Sequence, residues 1–184
     1  MPYNFQHRYW WLIGPPALLP TYFHYENLRF VFIKKEWGDL ASMFAFFARY
    51  MVMFAPWFGA GGTIAIYFFM RFLESHWFTW VTQMSHIPML IDKDAKTDWV
   101  HTQTIATCNV EPSWFNDWFT GHLNYQIEHH LFPTMPRHNY SKVHDDVRAL
   151  CAKHKVDYLS KPLYTAFSDI VTSLQDYGEA WYEA

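Results

Sequence analysis

Between Leu40 and Phe72 the sequence is apolar almost without interruption, broken by Arg49, by Pro56 and by the run Gly59-Ala60-Gly61-Gly62. About 20 mainly apolar residues suffice to cross a bilayer as a helix, so a span fits here with length to spare. The excess is expected as a bent or re-entrant segment at the glycines. A second apolar stretch, Tyr9 to Phe32, precedes it. Its core, WWLIGPPALLPTYF, carries Pro15, Pro16 and Pro20. It reaches spanning length only as a kinked helix, which a membrane tolerates when neighbouring groups satisfy the freed backbone. Lys34, Lys35, Glu36 and Asp39 form a short polar connection between the two stretches. Two spans joined this way make a helical hairpin, with both long flanks on one side of the membrane.

Composition supports that reading. Aromatic residues make up 21% of the 184 residues, and Trp and Tyr favour the membrane–water interface. The mean hydropathy of -0.16 reflects a polar second half. A net charge of -3 without a basic patch excludes an evident nucleic-acid surface. Cys108 and Cys151 make no disulfide framework and no CxxC metal pair, and are expected as reduced thiols. No small-residue cleavage site follows the first apolar stretch, so it is not expected to be a cleaved signal peptide.

From Arg71 charged and polar residues enter while aromatics persist. The last fifty residues read as soluble helices. Ser141 to His154 sets Val143, Val147, Leu150 and Cys151 on one stripe. Pro162 opens a further helix that buries Phe167, Ile170, Val171 and Leu174, with Gly178 near its end. Neither helix carries a chemical motif, and packing is their expected role. The sequence thus divides into 1–73 with two membrane stretches, 74–133 with cytosolic helices, and a helical tail at 134–184. The expected class is all-α, a membrane hairpin followed by a helical metal-binding cap.

The eleven histidines carry the chemistry. The segment Gln126-Ile127-Glu128-His129-His130 is followed by Leu131-Phe132-Pro133. If one helix covers it, His122, Gln126, His129 and His130 fall within an arc of roughly 100°. Three imidazoles and an amide on one face make a plausible ligand row, and Pro133 closes the helix just beyond. Glu128 points elsewhere, toward a supporting role behind the ligands or toward the surface. Upstream, His76, Thr79, Gln83 and His86 span about 80° on the same assumption. That row would sit just outside the bilayer, where a lipid tail held near the interface can be reached. For His7, His24, His101, His138, His144 and His154 hydrogen-bonded structural roles are expected. A zinc hydrolase would require HExxH or a carboxylate that activates water, and neither pattern is present.

The segment WFNDWFTGHLNYQIEHHLFPTMPRHNY resembles the third histidine box of front-end fatty acyl desaturases, in which a Gln, here Gln126, replaces the box's first His. MPYNFQHRYWWLIGPPALLP, RFLESHWFTWVTQMSHIPM, ATCNVEPSWFNDWF and LCAKH are likewise similar to vertebrate acyl-CoA desaturases of the delta-5/delta-6 type. The resemblance covers essentially the whole chain. It implies that His129 and His130 are metal ligands, with Gln126 at the first box position, and that His86 is the additional ligand preceding the box. His122 fits the face with less support, while His76, Gln83 and Glu128 would stand behind the ligands.

The implied cofactor is a non-haem di-iron centre, supplied with electrons by NADH through a reductase and cytochrome b5. The implied substrate is a polyunsaturated acyl-CoA, and the implied location the endoplasmic reticulum membrane, multi-pass, with the C-terminal region cytosolic. The PPALLP and RHNY details favour delta-5 over delta-6. The family's HxxxH and HxxHH boxes and the HPGG haem motif of a b5 domain do not occur in these 184 residues. A fragment that is inactive alone is therefore expected. The alternative is a truncated isoform that binds or modulates a full-length desaturase in the membrane.

Overall fold

A computed structural model describes residues 2–89 and 98–183. The stretch 90–97, part of the segment expected to carry cytosolic helices, lies outside them. The fold is mostly helical. Two compact units divide it, one formed by Met1–His7 with Trp80–Ala184, the other by Arg8–Thr79.

In the Arg8–Thr79 unit the first apolar stretch is helical but not uniform. Helix α1 (Gln6–Ala17) contains Pro15 and Pro16, a π-helical turn follows at Leu18–Phe23, and α2 (His24–Lys34) ends at Lys35 in the left-handed conformation. The prolines account for the irregularity, because each removes a backbone donor from the i→i−4 ladder. Freed groups find partners from elsewhere in the unit. Ser75 Oγ donates to the Pro15 carbonyl and accepts from Leu19 N–H, and His24 bonds the Leu19 carbonyl at 2.9 Å and the Tyr67 hydroxyl at 2.7 Å.

Helix α3 (Trp37–Gln83) is broken at Gly59, which has φ 69° and ψ 164°, a conformation open essentially to glycine alone. The break folds the chain back. Phe47 and Tyr50 lie 5.4 and 5.6 Å from Tyr67, ring to ring. On a straight helix these residues would be about 30 and 26 Å apart. The expected bend at the glycines is therefore present. Among the described residues α3 is the one helix long and apolar enough to cross a membrane, and its most apolar window is only 6% buried.

The other unit gathers short helices around a two-residue parallel bridge. Its elements are α4 (Trp99–Ile105), β1 (Asn109–Val110), α5 (Trp114–Thr120), α6 (Gln126–Leu131), α7 (Tyr140–His154), β2 (Ser160–Lys161) and α8 (Leu163–Glu183). Asn109 pairs with Ser160 and Val110 with Lys161. The side chains of Ile127, Val147 and Cys151 form a buried cluster, with Leu131, Val143, Val156 and Tyr158 against it. Both cysteines are buried and free.

Two sequence expectations shift here. The buried stripe of α7 is Tyr140, His144, Val147 and Cys151, and Leu150 is 57% exposed. The helix is rotated from the aliphatic reading because Tyr140 and His144 find hydrogen-bond partners inside. Gly178 does not end α8. It lies in the helix interior, where a Cβ would come within 2.8 Å of the Tyr3 carbonyl oxygen, so it admits the N-terminal backbone.

Candidate metal centre

The residues of the expected site are positioned by turns more than by one continuous helix. Ser113 caps α5 by accepting from Asn116 N–H at 3.0 Å. The helix stops at Gly121, which is left-handed at φ 60°, with Gly121 N–H to Trp118 O and His122 N–H to Asp117 O. This is the paired closure characteristic of a helix C-terminus. His122 follows in the same left-handed region, φ 64°. The single helix assumed over 122–130 is thus corrected: α6 begins at Gln126, and His122 precedes it in a turn. The His122 ring lies against Tyr125, and its buried Nδ1 has no hydrogen-bond partner.

The loop into α6 is held by polar side chains. Asn124 Nδ2 donates to Asp117 Oδ1 at 2.7 Å, Thr120 Oγ1 donates to Asn124 Oδ1 at 3.0 Å, and Tyr125 OH reaches Asp117 Oδ2 at 3.3 Å. Burial, reinforced by the Asp117 carboxylate, pushes the Tyr125 phenol up to about 12.

Upstream, α3 ends at Gln83 and a turn carries His86, so the second helical row is also interrupted. Pro88 supplies a reason, since the residue before a proline avoids helical geometry. Gln83 donates to Thr82 at 3.5 Å. His76 belongs to the other unit and packs on Phe72, ring centroids 4.7 Å apart.

Four expected residues meet. Gln126 Nε2 lies 3.0 Å from His86 Nε2, the His86 and His130 rings are 5.2 Å apart, and those of His129 and His130 are 5.8 Å apart. Two imidazoles on one ion at 2.0–2.1 Å have centroids roughly 4.5–5.3 Å apart by simple trigonometry. The first pair matches that spacing and the second is slightly wider. Among the described residues no group of three or more His, Cys, Asp or Glu side chains is arranged so that it could hold a metal ion.

Sequence reasoning missed the groups behind these rings. His130 Nδ1 bonds Gln103 Oε1 at 2.8 Å, and His129 Nδ1 bonds the Tyr140 hydroxyl at 3.0 Å. The Ala106 backbone hydrogen-bonds His86. Such outer bonds fix tautomer and ring direction in histidine metal sites. Gln103 and Tyr140 stand 27 and 11 residues from their partners, and no spacing rule links them. Burial disfavours the charged form of all three imidazoles. Burial lowers His86 and His129, and burial with the neighbouring His86 and His129 charges brings His130 down to about 4.

Glu128 departs most from expectation. Of the two places expected for it the surface is excluded, because it is 0% exposed, on the far side of α6 from Gln126, His129 and His130. Its carboxylate accepts from Asn109 Nδ2 at 2.8 Å and from Tyr158 OH at 2.6 Å, with His144 Nδ1 3.4 Å away. Burial and this carboxylate raise the Tyr158 phenol far above its ordinary value.

A mostly helical chain with an outward-facing apolar helix and three neighbouring imidazoles defines the class: a helical protein with membrane character and a candidate histidine site. The fatty acid desaturase family model matches residues 1–162, and the chain belongs to that family. It is 52% identical to fatty acid desaturase 3 of Bos taurus and 51% to that of Homo sapiens, each over 100% of its length. It is 49% identical, over 99% of its length, to the fatty acid desaturase 2-like protein of Mus musculus. The chain spans between 37% and 42% of the length of these relatives. No solved structure matches it.

Proposed function

We propose that this chain is part of a front-end fatty acyl-CoA desaturase that introduces a cis double bond into polyunsaturated acyl chains, with delta-5 favoured over delta-6. The observation that carries the reading is the meeting of His86, Gln126, His129 and His130, each histidine tied back through an outer bond. With Nδ1 of His129 and His130 engaged away from the cluster, Nε2 is left to face a metal. Neutral imidazoles suit iron, and the Gln126 amide can ligate weakly or orient a water. A di-iron centre, when bound, supplies the oxidising power of O2 needed to remove hydrogens from unactivated methylene carbons, which no side chain can deprotonate. Four donors are too few for two irons, so the remaining ligands come from outside these 184 residues. His122, in its turn beside Tyr125, is assigned a supporting place.

Cytochrome b5 and its NADH reductase are the proposed electron donors, and the endoplasmic reticulum the proposed membrane. Residues 1–7 and 80–184 share one compact unit, which favours an even number of crossings and the hairpin topology. Because α3 folds back at Gly59, the hairpin of this proposal is formed by the two arms of α3, 37–58 and 60–83, and the path from α1 to α2 adds no crossing of its own.

The test joins this chain to the preceding segments of a related full-length desaturase that carries both further histidine boxes. Fatty acid product is then measured in cells supplied with polyunsaturated substrate. Front-end product is expected from the joined protein and none from the 184 residues alone. His129→Ala and His130→Ala abolish it, whereas His154→Ala leaves it. Product that survives loss of His129 would sink the ligand assignment.

A further inference from the structure

Helix α6 works only if Gln126, His129 and His130 face His86, and that depends on its rotation about its own axis. Six residues are too few to hold such a phase by themselves. Nor does the residue before the helix help, since Tyr125 makes no side-chain cap.

The far side of the helix supplies the constraint. Asn109 Oδ1 accepts from Ile127 N–H at 2.8 Å, satisfying one of the amide groups left open at the helix start. The same side chain's Nδ2 donates to Glu128 Oε2 at 2.8 Å and to the Tyr158 hydroxyl at 2.7 Å, and that hydroxyl donates to Glu128 Oε1. Asn109 is itself fixed by β1, with its N–H on the Leu159 carbonyl at 2.9 Å. Asn109 and Glu128 are both 0% exposed. On the helical wheel Glu128 lies roughly 150° from the centre of the Gln126, His129 and His130 face.

Burying an ionised carboxylate is costly even when its oxygens are matched, and a hydrophobic side chain often replaces such a group without loss of stability. An apolar residue at 128 would hold α6 down but leave it free to roll. Two directional bonds to a side chain anchored in a β-bridge do not. Resting on the metal reading above, we infer that Asn109 and Glu128 are positioning residues that set the rotational phase of the ligand helix.

The experiment titrates the 184-residue chain, in lipid nanodiscs, with Co2+ and follows the visible absorption bands, which report coordination geometry as well as affinity. The parent is expected to bind Co2+ in a form lost in His129→Ala. Asn109→Asp sets a carboxylate against Glu128 and is expected to weaken binding at least about tenfold, in the range seen when outer partners of metal histidines are removed, and to change the saturated spectrum. The double variant Asn109→Asp with Glu128→Gln exchanges acid and amide, keeps an acceptor for Ile127 N–H, and restores the parent spectrum. No His129-dependent cobalt binding would remove the metal reading, and this inference with it. His129-dependent binding that is indifferent to Asn109→Asp would overturn the positioning role alone. Should Asn109→Asp lose its helical circular dichroism, the double variant decides. Recovery of fold and spectrum together supports the role, and recovery of fold without the parent spectrum overturns it.

Discussion

Replacing Gly178 with Ala sets two opposite effects against each other, and the geometry decides between them. In a helix interior Ala is favoured over Gly by about 1 kcal/mol, so on an open face of α8 the substitution would stabilise. At Gly178 the added Cβ would stand 2.8 Å from the Tyr3 carbonyl oxygen, 3.2 Å from Asn4 Cα and 3.3 Å from the Asn4 carbonyl oxygen. All three are backbone atoms and cannot swing aside as a flexible side chain would. Ordinary contact begins at 3.4 Å, so the N-terminal segment must retreat by about 0.6 Å. That segment is also tied to α8 by Gln6 Nε2 donating to the Leu174 carbonyl at 3.0 Å and by the Tyr3–Trp181 ring contact. Overpacking of this kind costs about 1–3 kcal/mol, so the net effect is a destabilisation of about 1 kcal/mol. Released locally, 1 kcal/mol corresponds to about a fivefold rise in the open population. Brief chymotrypsin digestion should show it as faster cleavage at Tyr3 and Phe5, with a lower melting temperature. A Gly178→Ala chain that melts higher than the parent and keeps its N-terminus equally protected would refute the reasoning.

Ile127→Ala removes the 0% exposed centre of the α6–α7 cluster and should cost about 2–5 kcal/mol, with Ile127→Val about 0.5–1.5; equal denaturation midpoints for all three proteins would show that the cluster does not hold α6. For pH, the folded-state value of His130 lies near 4, below the unfolded value of about 6.5. Its contribution is therefore fully present above about pH 6.5 and is lost as pH falls toward 4, because the unfolded chain takes up the proton first. Denaturation at pH 7.5 and 4.5 should show a smaller acid loss in His130→Gln than in the parent, and equal losses would contradict an imidazole whose half-buried place disfavours protonation.

Much of the architecture is legible in the residues. The break at Gly59 follows from a run of glycines in an apolar stretch too long for one span, and the π-helical turn at Leu18–Phe23 follows from prolines that cannot complete a helical ladder. The proposed donors are also local: Gln126, His129 and His130 lie within five residues, close enough for one turn and a half of helix to present them together. Helical periodicity, however, assumes an unbroken helix, and the assumption failed where a left-handed Gly121 closed α5 and set His122 in a turn. The same periodicity gave α7 an aliphatic stripe through Leu150, whereas its buried side follows Tyr140 and His144, whose polar tips have partners inside.

What the sequence determined by itself is whatever depends on neighbours along the chain: where helices run, where glycine and proline end or bend them, and which donors share a short helix. The tertiary structure alone decided the rest. It brought His86 to Gln126 across 40 residues, set Gln103 and Tyr140 behind His130 and His129, and turned Glu128 into the interior against Asn109 and Tyr158. The physical reason is that a hydrogen bond between distant segments is fixed by how they pack, and a Gln, Tyr or Glu gains a partner only after folding has placed one within about 3 Å.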